Sequence, residues 1–324
     1  MNAPPLVSIR SLEVDFRTER GSARVLRDVD IDIPENTVVG VVGESGSGKS
    51  TLALALMDLL PGNATQRALS FKFEGTDLVG ETEARRRGLR GTKMAMVFQD
   101  PMSSLHPLFT IGTQMVDIQR ARYPGAGSGE LWQRASAMLT HVGVPDAPAR
   151  MSHYPHEFSG GMRQRALIAM ALLVQPKLLI ADEPTTALDA TIEAQIVELL
   201  RNIRSDVHGS ILLISHSLGL VADLCDHVIV MYGGKVVESG PVSEVFSRPQ
   251  HPYTEALLSC EIDPEQPYTP DMPLPRIPGS PPDPVQPPAG CVFAARCPRC
   301  FDPCRLPPVM KRVDDKWSVA CWLR

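Results

Sequence analysis

The stretch Gly43-Glu44-Ser45-Gly46-Ser47-Gly48-Lys49-Ser50-Thr51 fits the pattern G-x-x-x-x-G-K-[ST], with Gly43, Gly48, Lys49 and Ser50 at the fixed positions. A glycine-rich turn that opens a helix aims backbone N–H groups at one point, where an anion is favoured. A lysine at this spacing reaches the β- and γ-phosphates of a nucleotide, and the following hydroxyl reaches Mg²⁺. Gly46 and Gly48 lack the third glycine of G-x-G-x-x-G, so a triphosphate fits better than a dinucleotide. Asp182 and Glu183 end the apolar run from Leu178. One carboxylate at such a strand tip suits a metal ion and its neighbour suits an attacking water. Ser159, Gly160 and Gly161 open a second helix and make another anion-binding end, although Ser-Gly-Gly is also an ordinary cap and turn. His216 stands at the polar tip of the run Ile211–Ile214, and Phe16 is either a base-stacking aromatic or a core one.

These residues need strands and helices to hold them. Val38–Val42 is a short apolar run suited to a buried strand, and Thr51–Met57 is rich in good helix formers, with Pro61-Gly62 as a stop. Residues 6–16 and 25–33 alternate like half-buried strands. Leu69–Phe73, Lys93–Phe98, Lys177–Ala181 and Ile211–Ile214 read as further strands. From Met102 to His156 the character turns helical, with Thr113–Arg122 and Glu130–Val142 as the clearest segments, and Ala166–Val174 continues as an apolar helix. This is expected to be a helical insertion into a nucleotide-binding core.

The chain has 324 residues, 43% of them hydrophobic, enough for one large core and something smaller. Its net charge is −5, and its densest basic cluster, Arg85-Arg86-Arg87, reads as a solvated helix face, so no nucleic acid partner is expected. No apolar run reaches the roughly 18 residues of a membrane span, and Met1–Pro5 does not look like a signal peptide. A soluble, intracellular chain is therefore expected. Composition changes near residue 250. Twelve of the 30 prolines precede Pro241, and five of the seven cysteines crowd the stretch from Cys291 onward. Cys291, Cys297 and Cys304 follow C-x5-C-x6-C, Cys321 returns later, and Cys297-Pro298-Arg299-Cys300 adds a CxxC. Four converging thiolates suit a structural zinc or a [4Fe-4S] cluster, and spacing does not choose between them. The proline-rich approach from Pro264 to Pro288 holds too few apolar residues for its own core, so a metal staple is the expected stabiliser.

In this order the motifs resemble the ATP-binding subunit of an ABC transporter. The resemblance runs from about Leu6 to the C-terminus. By resemblance, Gly43–Thr51 is the Walker A loop, Gln99 the Q-loop glutamine, and Phe158–Arg165 the signature. Asp182 and Glu183 form Walker B with its catalytic glutamate, Ala187-Leu188-Asp189 is the D-loop, and His216 is the switch histidine. Val97–Pro107, Gly160–Arg165, Thr185–Gln195 and His251-Pro252-Tyr253-Thr254 are similar to the oligopeptide/dipeptide/nickel importer subfamily. Three positions depart from the pattern. Phe158 replaces a leucine, Met162 replaces the glutamine ending the general signature, and Ser217 stands where an Asp is usual.

The resemblance implies an α/β, P-loop (RecA-like) ABC nucleotide-binding domain over 1–255. It would carry an antiparallel β subdomain, a helical insertion at about 102–165, and a small Cys-rich extension over 256–324. It implies an ATPase in which Glu183 and His216 are catalytic. ATP would be bound by Phe16, Gly43, Ser45, Gly46, Ser47, Gly48, Lys49, Ser50, Thr51 and Gln99, with Mg²⁺ on Ser50, Gln99 and Asp182. Ser159, Gly160 and Gly161 would act in trans. Partners would be a second, unlike ABC ATPase subunit, two permease subunits and a substrate-binding protein, at the cytoplasmic face of the inner membrane. The matching cysteines are Cys291, Cys297, Cys304 and Cys321, and some subfamily members hold a [4Fe-4S] cluster there. Iron–sulfur is the expectation, with zinc or metal-free thiols as the alternatives. A soluble ABC ATPase of translation or DNA repair is the competing reading. A single cassette without long heptads argues against it.

Overall fold

The computed structural model describes residues 4–186, 189–206, 209–261 and 275–324. Ala187 and Leu188 of the expected D-loop, and the proline-rich stretch up to residue 274, lie outside the described residues. The chain divides into two compact units.

The first unit combines residues 1–34, 39–79 and 215–324. Val7–Thr18 alternates buried and half-exposed positions, as a strand with one wet face must. It pairs antiparallel with Gly21–Ile33, from Val7 opposite Ile33 to Thr18 opposite Gly21. Ser70–Phe73 and Ala64–Arg67 line its other edge. Val38–Val42 is buried at every position and lies parallel to His227–Tyr232, the all-apolar pattern of a strand covered on both faces. His227–Tyr232 turns into the antiparallel strand Lys235–Pro241. The far edge of that strand takes Ser318–Val319 and then Lys311–Arg312. The C-terminal region thus contributes strands to the first unit's sheet. Its Phe293 and Trp317 are among the largest fully buried side chains, with Ile9, Leu26, Leu52, Tyr232 and Tyr253.

The second unit holds 35–38 and 80–214. Met94–Val97, Leu178–Asp182 and Ser210–Ile214 run parallel in that order, with Met94 opposite Leu178 and Leu178 opposite Ser210. Between the first two strands come the helices Ile111–Arg120, Ser128–His141 and Gly160–Leu173. The first packs on the second and the second on the third, burying Ile111, Met115, Leu131 and Leu139.

The periodic runs fold as expected, with shifted ends. The first helix starts at Lys49 and ends at Leu56, because Asp58 turns into the left-handed region (φ 53°) before Pro61 is reached. The helix Glu83–Leu89 buries no residue, so it carries no apolar period to read; it contains the Arg85-Arg86-Arg87 cluster, a solvated face as expected. Among the described residues no helix is long and apolar enough to cross a membrane.

Candidate functional site

In the first unit, the buried strand Val38–Val42 delivers the chain into the loop at Gly43. Gly43 stands at φ 149°, and a Cβ there would meet the Met231 carbonyl oxygen at 2.1 Å. At Gly48 (φ 104°) a Cβ would meet Leu26 Cδ2 at 2.7 Å. Both positions therefore demand glycine twice over, by conformation and by close approach. Ser45 and Gly46 are exposed, Ser47, Gly48 and Lys49 buried, and Ser50 and Thr51 half-buried. The helix that follows starts at Lys49, and its N-cap, Gly48, has no side chain with which to cap it.

Two further observations mark an anion seat. Lys49, only 5% exposed, turns its ammonium onto the loop's own carbonyls, Gly43 O at 2.8 Å and Glu44 O at 3.1 Å. Ser47 Oγ is buried without a hydrogen-bond partner among the described residues. A phosphate would supply acceptors for both, so the residues present fit a polyphosphate. Phe16 is half-buried and lies between Ala23 and Ala64 on the neighbouring strands. His216 is exposed, and Ser217 accepts the Leu220 N–H at 3.2 Å as the cap of helix Leu218–Leu224. The serine thus does the capping work open to an Asp at that position.

In the second unit, Asp182 and Glu183 end the buried strand at 5% and 7% exposure. Glu183 adopts φ 49°, an uncommon conformation for a residue with a side chain. Its N–H donates to the Ile214 carbonyl at 3.0 Å. Its Oε2 accepts Gln99 Nε2 at 2.7 Å and the Thr186 hydroxyl at 3.1 Å. Gln99 and Glu183, 84 residues apart in sequence, are thus brought into contact. Ser159 caps its helix by accepting the Met162 N–H at 3.3 Å. Gly161 is pressed against Ile192, whose Cγ2 would lie 2.6 Å from an added Cβ, whereas Gly160 is exposed with nothing within 4 Å. Asp189 is exposed, and its Oδ1 accepts the Ile192 N–H at 3.0 Å.

The ABC transporter family model matches residues 26–186, and the model of the oligopeptide/dipeptide transporter C-terminal region matches 237–304. A Brucella abortus chain named as a peptide import ATP-binding protein is 46% identical over 298 residues, 92% of this chain and 88% of that one. This chain belongs to the ATP-binding subunits of ABC transporters. It is 40% identical to the oligopeptide transport ATP-binding protein of Haemophilus influenzae over 98% of this chain and 97% of that one. The dipeptide transport ATP-binding protein of Bacillus subtilis is 42% identical over 98% and 95%. A dimeric ATP-binding cassette in a post-hydrolysis state with ADP and phosphate superposes with a TM-score of 0.65 at 25% identity, covering 73% of this chain and 98% of that one. The ABC cassette fold follows, and so does the activity. The chain is an ATP-hydrolysing subunit that drives import, not a soluble ATPase of translation or DNA repair. ATP-binding subunits of this kind work with permease subunits and a substrate-binding protein.

The cysteine expectation requires correction. Cys291, Cys304 and Cys321 are buried, Cys297 is half-buried and Cys300 exposed. Among the described residues, however, no group of three or more His, Cys, Asp or Glu side chains could hold a metal ion. The [4Fe-4S] cluster expected on Cys291, Cys297, Cys304 and Cys321 is not supported, nor is zinc in its place. The reason lies in the premise that this region needed a staple. Instead of building a core, it buries Phe293, Trp317 and Val319 in the first unit. Burial pushes the Cys291 thiol up to about 11, which keeps it a neutral group.

The sequence also gave no role to Glu44, Tyr253 or Arg296. Glu44 N–H donates to the Tyr253 hydroxyl at 2.8 Å, and the Glu44 carboxylate pairs with Arg296. The only available signal was His251–Thr254, which carried a resemblance but no chemistry.

Proposed function

We propose that this chain powers the import of a peptide or a similar solute. Its relatives' names and the match of its C-terminal region to oligopeptide/dipeptide transporters support that cargo. The reading places it as a peripheral subunit at the cytoplasmic face of the membrane. There it pairs head to tail with a second, unlike ATPase beneath two permease subunits, and a binding protein delivers the solute. Residues 1–255 act as the cassette, the helices within about 102–165 pass closure to the permease, and 256–324 form an extension.

Phe16 stacks on the base, and the loop Gly43–Thr51 cradles the phosphates with its N–H groups. Lys49 exchanges its carbonyl partners for β- and γ-phosphate oxygens. The oxygens of Ser50, Gln99 and Asp182 suit a hard cation and would hold Mg²⁺, which neutralises phosphate charge when bound. Glu183 takes the proton of the attacking water, and His216 contacts the γ-phosphate. Ser159, Gly160 and Gly161 complete the partner's site in trans, flanked by Asp189.

The observation that carries this reading is the Gln99–Glu183 hydrogen bond. It ties the glutamine that reports on nucleotide to the carboxylate that would activate water. Glu183→Gln keeps the shape and removes the base. We expect it to bind Mg-ATP like the parent while steady-state hydrolysis by the assembled transporter falls about 10²–10⁴-fold. Near-parental turnover would remove Glu183 from this role.

A further inference from the structure

Glu44, the residue after Gly43, is gripped by two residues that lie 209 and 252 positions downstream. Its backbone N–H donates to the Tyr253 hydroxyl at 2.8 Å. Its carboxylate accepts both terminal nitrogens of Arg296, at 2.6 and 3.0 Å. The Arg296 guanidinium has no donor to spare, since it also bonds Tyr232 Oη (3.0 Å), the Pro278 carbonyl (2.7 Å) and the Ile277 carbonyl (2.9 Å). Five N–H groups thus meet five acceptor contacts, in a side chain only 5% exposed. Tyr253 is fully buried, with its ring 4.5 Å from Tyr232 and 5.3 Å from Phe293, centroid to centroid. Meanwhile the Glu44 carbonyl accepts Ser47 N–H at 3.1 Å and Lys49 Nζ at 3.1 Å. Glu44 therefore joins the loop's inner hydrogen bonds to a rigid aromatic and guanidinium frame.

We propose that Arg296 and Tyr253 are positioning residues for nucleotide binding, holding the Glu44 peptide so that the loop keeps its anion-binding shape before ATP arrives. The proposal rests on the reading of Gly43–Thr51 as the nucleotide site. A loop restrained in advance has less conformational freedom to lose on binding, and affinity rises accordingly. The frame is also electrically fixed. The hydrogen bond to Glu44 raises the Arg296 pKa above its ordinary value, so it stays charged, and burial raises that of Tyr253, so it stays a neutral phenol.

The test measures equilibrium binding of Mg-ATP to the full-length chain and ATPase kinetics of the assembled transporter. Arg296→Ala is expected to weaken binding about three- to tenfold and to raise KM in proportion, with kcat within about twofold of the parent. Arg296→Lys keeps the charge but not the fork and falls between. Tyr253→Phe keeps the ring and loses only the hydroxyl, with an expected weakening of about threefold; it carries the test if Arg296→Ala does not fold. Glu44→Ala combined with Arg296→Ala should weaken binding no more than either change alone. A merely structural brace would lower the unfolding midpoint and leave binding untouched. Folded variants of Arg296 and Tyr253 that bind Mg-ATP like the parent, or a fully additive double variant, overturn the proposal. Lys49→Ala separates the two readings. If it abolishes binding while the other variants bind normally, only the positioning role falls; if it binds normally, the loop assignment falls as well.

Discussion

His251 is a base that the fold cannot let ionise. It is 1% exposed, its Nδ1 accepts the Tyr253 N–H at 3.0 Å, and burial, helped by the nearby Arg299, lowers its pKa to about 3. In the unfolded chain a histidine takes its proton near pH 6.5. Between those two values the unfolded state holds more protons, so stability rises with pH there and is lost as pH falls below about 6.5. The slope from this one residue is at most about 1.4 kcal/mol per pH unit. Urea unfolding at pH 7.5, 6.0 and 5.0 should show that loss in the parent, and His251→Asn, which can still cap, should flatten it. Equal slopes in the two proteins would mean that another group titrates. None of this was legible in the sequence. A histidine before Pro-Tyr-Thr looks alike whether it caps in a dry core or faces water.

Three elements meet at Glu238, which lies on the strand Lys235–Pro241 and is 0% exposed. Its carboxylate accepts the N–H groups of Gln250 (2.9 Å) and His251 (3.0 Å), at the start of helix Pro252–Ser259. It also accepts the indole N–H of Trp317 at 2.9 Å, from the segment leading into strand Ser318–Val319. A buried carboxylate survives only when hydrogen-bonded, so each donor matters. Trp317→Phe keeps most of the ring volume and removes one donor. We expect a loss of about 1–3 kcal/mol in denaturant-measured stability. A loss below a few tenths would show that the indole bond is dispensable. The strand Lys235–Pro241 also gains by this junction, because Ser318–Val319 covers an edge that would otherwise be open to pairing with other chains.

At the scale of the whole molecule, Gly160 is a glycine that its own chain does not require. It opens helix Gly160–Leu173, is exposed, and has nothing within 4 Å of an added Cβ. Alanine is the better helix former by about 0.5–1 kcal/mol, so Gly160→Ala should leave stability equal or higher. If Ser159–Gly161 closes on the partner's nucleotide, the same methyl obstructs that approach. Hydrolysis by the assembled transporter should then fall by about tenfold or more. Parental hydrolysis with raised stability would place the residue away from any nucleotide. Gly161→Ala is a different experiment, since its methyl would strike Ile192 within the same unit.

The sequence by itself determined the glycine-rich loop that opens a helix, the two carboxylates at a strand tip and the order of motifs that marks an ABC ATPase. It could do so because the chemistry there is local: Gly43 and Gly48 take backbone angles that neighbouring residues impose, and Lys49 and Ser50 follow at fixed spacing. The buried strands were legible for the same reason, as short unbroken apolar runs such as Val38–Val42. Only the tertiary structure decided what surrounds that loop. The partners of Glu44 come from beyond residue 250, and no spacing rule links positions 252 residues apart. It also decided the fate of the cysteines. Their spacing fits a metal site or plain packing equally well, and the burial of Phe293 and Trp317 removed the need for a staple that had favoured a metal.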